Sequence, residues 1–297
     1  MATLKGQNLR ILTFDGEDWT VIGMSTNCTI NLTNNVENSS HKDITGNFSA
    51  PSVVSKGWNV QVESLDVSDL PSLLSEFASG TLFTLAWDET GTRDNQSALH
   101  ATFGRTGQAF LTDFTANFNN RENSVKQLQF TGSGEIANGT INTTAIETGA
   151  YTKGQYVRLY LSSDGTTTPS KVIGAATQLS FHCSVSLEDA TTKDTAGGWV
   201  IQEPTEYSYD ISTTALVRSG ETVTSAVLAQ GLTDLETIYN AGTPVLWTIA
   251  NASGVNNRTQ GAAIVSGKAI LTSLAISAPD KQKATYTAQL TGYKDFY

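Results

Sequence analysis

Two stretches of this sequence are copies of one another: Glu37–Phe48, ENSSHKDITGNF, and Glu188–Trp199, EDATTKDTAGGW. Glu37/Glu188, Lys42/Lys193, Asp43/Asp194, Gly46/Gly197 and Phe48/Trp199 share one offset of 151 residues. A repeat of that length in a chain of 297 residues points to a tandem duplication. Each copy is long enough to build its own core. The expected organisation is a first unit over residues 1–137, a small, polar linker over 138–152 and a second unit over 153–297.

Outward from these stretches the parallel continues. KGQNLRIL at Lys5–Leu12 matches KGQYVRLY at Lys153–Tyr160, and Val21-Ile22-Gly23 matches Val172-Ile173-Gly174. Alternating apolar residues predict strands at Cys28–Leu32 and Leu179–Val185, with one face of each buried. The repeated stretch itself, rich in Asn, Ser, Thr, Asp and Gly, lacks sustained periodicity. It reads as a long loop or a loosely paired hairpin extension, and loops of that length are often functional. Strands resume at Trp58–Val62 and Tyr209–Thr213.

One helix per copy follows. Leu70, Leu73, Leu74 and Phe77 keep helical spacing, with Ser68 or Asp69 as N-cap and Gly80 as stop. In the second copy Leu232, Leu235 and Tyr239 form the stripe, Thr233 with Glu236 has capping-box spacing, and Gly242 ends the helix. The offset there is 162, which places an insertion of about eleven residues within Val217–Gly231. Gly-Thr and an apolar strand come next in each copy, Leu82–Trp87 and Val245–Ile249. GQAFLT at Gly107–Thr112 and GKAILT at Gly267–Thr272 then open C-terminal hairpins that close with QFTG and QLTG.

Composition narrows the function classes. Hydrophobic residues at 39% and charged residues at 15% describe a folded, β-rich chain rather than a disordered one. No apolar run reaches membrane-spanning length, and MATLKGQNLR lacks a secretory signal, so synthesis and folding in a cytoplasm are expected. Asn-x-Ser/Thr triplets at Asn31, Asn47 and Asn257 then read as by-products of composition. Two cysteines exclude a disulfide framework; Cys28 and Cys183 both alternate with apolar residues and read as small core side chains on strands. Residues 1–148 carry 8 basic and 16 acidic side chains, a balance of −8, and residues 149–297 carry 10 and 12, a balance of −2. Sequence-wide attraction to nucleic-acid phosphates is not expected on that charge, which suits an acidic surface that repels DNA without gripping it.

Catalytic chemistry is not visible. The sequence has no phosphate-binding glycine loop, no nucleophile elbow and no Cys/His metal pattern, so neither an enzyme nor a cofactor or metal site is expected. His41, His100 and His182 are scattered, and His41 faces Thr192 in the repeat. Asp15-Gly16-Glu17-Asp18 lacks the spacing of a calcium loop and reads as a turn. Glu37, Lys42 and Asp43, with Glu188, Lys193 and Asp194, form either a surface ion-pair cluster of little energetic value or contacts to a neighbouring subunit.

The whole series is strand, VIG turn, strand, long loop with Glu and Lys-Asp, strand, LxxL helix closed by Gly-Thr, and a G-x-A-x-L-T hairpin ending in T-G. It resembles the major tail tube proteins of long-tailed, double-stranded DNA bacteriophages, twice over, from Lys5 to Gly132 and from Lys153 to Gly292. The resemblance implies a mainly β fold: two tandem β-sandwich or barrel units, each with one flanking helix, whose sheets join edge to edge into a ring around a lumen. It also implies stacked rings that conduct viral DNA without specific binding, and partners in the tape-measure, tail terminator and baseplate or tip proteins. It further implies that no membrane is involved and that assembly takes place in the host bacterial cytoplasm. The long loops carry the expected inter-subunit or inter-ring residues, Glu37, Lys42, Asp43, Gly46, Phe48, Glu188, Lys193, Asp194, Gly197 and Trp199. With two copies per chain, three chains would supply six units, a trimer with pseudo-sixfold symmetry. The competing readings are a two-unit immunoglobulin-like adhesin or decoration protein and the inner tube of a contractile or secretion-type injection system.

Overall fold

The computed structural model describes residues 9–14, 19–39, 50–88, 92–94, 98–100, 104–139, 151–162, 168–217, 229–252, 259–294 and 296. In the first copy the elements are β1 (Arg10–Phe14), β2 (Trp19–Val21), β3 (Ser25–Asn38), β4 (Pro51–Ser64), α1 (Leu70–Ala78), β5 (Leu82–Asp88), β6 (Thr92–Asp94), β7 (Ala98–His100), β8 (Gly104–Asn119), β9 (Val125–Gly132) and β10 (Ala137–Gly139). The second holds β11 (Val157–Leu161), β12 (Lys171–Ile173), β13 (Ala176–Asp189), β14 (Gln202–Leu216), β15 (Ala229–Gln230), α2 (Leu232–Ala241), β16 (Val245–Ala252), β17 (Gln260–Ser277) and β18 (Thr285–Gly292). The fold is mainly β, as expected, and almost wholly antiparallel.

The duplication is visible in the hydrogen-bond ladders. The path β2-β1-β5-β8-β9-β4-β3 recurs as β12-β11-β16-β17-β18-β14-β13. Register breaks in the β3/β4 pair fall between Ser25 and Asn27 and between Asn35 and Val36. In β13/β14 they fall between Ala176 and Gln178 and between Ser186 and Leu187, each 151 residues later. The bulge between Leu111 and Asp113 of β8 has its copy between Leu271 and Ser273 of β17. Even the hydroxyls at the bulges agree: Thr112 Oγ1 donates to the Gln129 carbonyl at 3.1 Å, and Thr272 Oγ1 to the Gln289 carbonyl at 3.2 Å. A bulge is a specific local distortion of the ladder, so its recurrence marks copied backbone and not merely similar composition.

The closing T-G of each hairpin has a packing cause. A methyl group at Gly132 would overlap the Trp58 indole, and one at Gly292 would overlap the Tyr209 ring. Glycine lets one buried aromatic lie flat on the strand beneath it. The Trp58 indole N–H then donates to the Gly134 carbonyl at 3.1 Å, satisfying the polar end of a buried ring.

Several expectations change in detail. The two copies do not form separate sheets. The C-terminal part of β8 pairs with β13, Asp113 to Asn119 against Ser184 to Gln178, so one 16-stranded sheet runs through both. Strands flanking the long loop are longer than their apolar alternation, with β3 and β4 paired as far as Asn38↔Pro51; the ladder needs backbone groups, not apolar side chains. The face of β3 expected to be buried is not. Cys28 and Ile30 are half-buried, and Leu32 is 61% exposed, because β4 is the sole partner of β3 among the described residues. Cys183, in contrast, is fully buried as expected. Residues 138 and 139 of the expected linker continue β10, which pairs with β8, and Tyr151 bridges to Asp66.

The helices need three corrections. α1 begins after Asp69, whose carboxylate does not cap it and instead receives the Lys126 ammonium, a side chain with no exposed surface. α2 is capped from Gly231, whose N–H donates to Asp234 Oδ2 at 3.0 Å, so Thr233/Glu236 is not the capping box. The second stripe likewise closes with Ile238, which is buried, and Tyr239 is 48% exposed. The Asp15–Asp18 turn and most of the 217–231 insertion lie outside the described residues.

Candidate assembly interface

Two structural features could carry contacts between chains: the junction where one copy meets the other, and the long arm that follows β3 or β13. The junction is built by β8, which changes partner along its length. Its first part, Gly104 to Phe110, pairs with β5; past the bulge, Asp113 to Asn119 pair with β13. Apolar side chains on one side merge the two cores. Phe114 meets Phe181 edge-on at 6.3 Å between ring centroids, and Phe181 lies 5.5 Å from Trp247. α1 also spans the junction, its Phe77 packing edge-on against Tyr207 at 5.4 Å.

On the polar side, His182 sits between two carboxylates, Nε2 at 2.9 Å from Asp113 Oδ2 and Nδ1 at 2.7 Å from Asp210 Oδ2. Burial pulls the imidazole pKa down, but the hydrogen bonds and charges of Asp113 and Asp210 outweigh it, and the net shift is upward. Sequence reading passed over this residue. The usable signal was its place on the polar side of an alternating strand whose partner strand presents Asp210.

That polar side has a consistent chemistry across both copies. By register, Asn31, Asn59, Gln61, Gln127 and Gln129 stand beside Thr115, Asn117, Ser180 and Ser184, and the row continues through Ser212, Gln289 and Thr287. Its charged members are Glu63, Asp113, Glu206 and Asp210, with His182. Between the bulges of β3, β4, β9, β8, β13, β14 and β18, no Lys or Arg points to this side. Lys126 and Lys56 fall on the opposite one. Such a surface attracts no polyanion.

The expected arm residues divide into those described and those not. Lys42, Asp43, Gly46 and Phe48 lie outside the described residues, and Glu37, at the end of β3, is exposed and pairs with Ser52. The second arm is described. Glu188 pairs with Glu203 on the ladder, while Lys193 and Asp194 are exposed at the tip. Gly197 and Gly198 have φ of +77° and +70°, a backbone turn that other residues rarely adopt. That turn returns Trp199 to the first copy, where the Lys56 ammonium lies 5.6 Å from the indole centroid. Val200 N–H donates to the Lys56 carbonyl at 3.0 Å, and Gly134 N–H to the Val200 carbonyl at 2.8 Å. The root of the second arm is therefore an intrachain strap between copies, and its tip is exposed. Among the described residues no cluster of His, Cys, Asp and Glu is arranged to hold a metal ion, and no helix is long and apolar enough to cross a membrane.

These elements define a mainly antiparallel β chain made of two copies of one unit on a shared sheet. No protein-family model and no curated protein matches the sequence. Solved structures similar to it include a chain from the tail of an empty gene transfer agent particle, computed with helical refinement and C6 symmetry. It has a TM-score of 0.39 and 15% identity and covers 49% of this chain and 97% of that one. A chain of the virion of a native gene transfer agent particle gives a TM-score of 0.35 at 15% identity, covering 49% and 96%. The SPP1 tail tube gives 0.34 at 16%, covering 47% and 74%.

Proposed function

We propose that this chain is the structural subunit of a tail tube of a long-tailed bacteriophage, a conduit through which viral DNA passes from capsid to cell. The observation that carries this reading is the polar side of the sheet: seven strands of amide and hydroxyl side chains, a few carboxylates and no Lys or Arg. A channel wall for DNA must leave the phosphates mobile, and a wall without Lys or Arg, whose His182 is held between two carboxylates, does so, since phosphate binding depends on Lys and Arg. The sequence resemblance to tail tube proteins supports the same reading.

In this assembly the subunits close into rings and the rings stack. Three chains per ring supply six units. The arm tips, with Lys193 and Asp194 in the second copy and Lys42 and Asp43 in the first, reach the adjacent ring, and Glu37, Gly46, Phe48, Glu188, Gly197 and Trp199 shape the arms. The tube is capped by a terminator, mounted on tip or baseplate proteins and filled by a tape-measure protein, and it is assembled in the host bacterial cytoplasm. The role is structural, with no catalytic step.

Electron microscopy of the purified protein at rising concentration tests the proposal. Rings and tubes with three chains per ring and a lumen wall free of Lys and Arg are expected. Protein that stays monomeric at millimolar concentration would rule out the tube, and rings averaging six chains would rule out the trimer.

A further inference from the structure

We propose that β17 of one chain pairs antiparallel with β3 of a second copy, residues 273–279 against 27–33, in the register that joins β8 to β13 within the chain. The inference rests on the self-assembly reading above and specifies its seam.

The intrachain junction is a template. β8 and β17 are copies through their shared bulge and identical hairpin pairing, offset by 160 residues. β3 and β13 are copies through both register breaks, offset by 151. Past its bulge β8 carries β13, whereas the same edge of β17 carries no strand among the described residues, and neither does the outer edge of β3. Among the described residues the sheet thus has two open edges that are copies of the two strands the chain has already joined.

Side chains support the transposition. Cys183 opposite Phe114, and Phe181 opposite Ala116, become Leu32 opposite Leu274 and Ile30 opposite Ile276. The intrachain four are buried. Leu32 and Ile276 are 61% and 54% exposed in the single chain, and the seam would cover them. β3 also lacks the usual protection of an open edge: its fourteen residues contain neither Lys nor Pro.

Backbone geometry passes a stricter check. Asn120 N–H donates to the Thr177 carbonyl at 2.9 Å, and bonded pairs alternate along an antiparallel ladder, so Asn119↔Gln178 is a pair without mutual hydrogen bonds. Pro279 takes the place of Asn119 and has no N–H to give. It falls where none is required. The turns behind these residues are also copies: Glu122 N–H donates to the Asn119 carbonyl and Gln282 N–H to the Pro279 carbonyl, both at 3.3 Å, with Arg121 and Lys281 at φ +68° and +58°.

The contact is heterologous, one edge meeting a different edge, so repetition builds a head-to-tail series that forms a ring where the rotation per chain closes and an open helix where it does not. Disulfide trapping reads its register. Asn31 and Ala275 would form a pair without mutual hydrogen bonds, with Cα atoms within disulfide range. In a Cys28→Ser background, Asn31→Cys/Ala275→Cys should give covalent oligomers after oxidation, dissociated by reductant. Either single substitution, and the shifted pair Asn31→Cys/Ser277→Cys, should remain monomeric on a denaturing gel. Leu32→Lys should melt as the parent does but fail to form rings. Parent tubes without the Asn31–Ala275 link, a link only in the shifted pair, or rings formed by Leu32→Lys would overturn the seam and leave the tube standing. A parent that never assembles would overturn both.

Discussion

His182 and Asp113, 69 residues apart in sequence, meet at 2.9 Å across the junction of the two copies. With Asp210 at 2.7 Å on the other ring nitrogen, the imidazolium is held by two carboxylates, and its pKa is raised despite burial. A raised pKa stabilises the fold fully below the unfolded value, about 6.5, and the contribution disappears as pH rises through the folded value. His182→Asn should therefore lose most stability relative to the parent between about pH 4.5 and 6.5, above the ordinary carboxylate range, with the gap narrowing at higher pH. Urea unfolding of both proteins across pH checks it; a gap widening above neutrality would contradict the assignment.

Lys126, fully buried, reaches Asp69 at the start of α1. Removing the carboxylate alone leaves a buried cation without its partner, and such losses run to about 3–5 kcal/mol. Asp69→Ala should destabilise strongly, and Lys126→Met/Asp69→Ala should recover much of the loss. Tyr286 of the second copy, at the position of Lys126, is buried without such a pair, so the double variant asks the first copy to tolerate what the second already does. Denaturant midpoints of the three proteins decide it.

Placing cations on the polar side should convert an indifferent wall into a binding one. Gln61→Lys/Gln129→Lys/Gln289→Lys leaves the buried core untouched and should create salt-dependent DNA binding, weakening steeply between 50 and 200 mM salt as expected for released counterions. The parent should show none at either salt. A parent that binds DNA with the same salt slope would remove the basis of the conduit reading.

Lys193 and Asp194 are exposed at the arm tip. Lys193→Ala/Asp194→Ala should leave the melting temperature within about 2 °C of the parent, in line with neutral surface substitutions, yet shorten or abolish tubes while single rings persist. Tubes of ordinary length in that variant would leave the tips without a function.

Much of this architecture was legible in the sequence because duplication copies side chains and backbone demands together. GQAFLT and GKAILT announced the hairpin, and Gly132 and Gly292 are glycine in both copies because Trp58 and Tyr209 press on them. What escaped reading depended on partners far away in the chain. Apolar alternation predicted that Leu32 is buried, but burial needs a strand on both edges, and among the described residues its copy Cys183 has two while Leu32 has β4 alone. The cap at Gly231 was missed because a backbone N–H, not a Ser or Thr side chain, meets Asp234. His182 was missed because neither carboxylate is near it in sequence. Of the expected arm residues, Trp199 packs as a strap over Lys56, which its spacing could not reveal.

The β8/β13 pairing is made within one polypeptide, and this changes the thermodynamics of assembly. Bringing two free molecules together costs several kcal/mol of translational and rotational freedom, while partners already tethered meet at an effective concentration set by the connecting chain. In a ring of three duplicated chains, every second seam is closed before any encounter in solution. Of the five losses of freedom that would gather six separate units into the proposed ring, three are then already spent during folding of the chain and two remain.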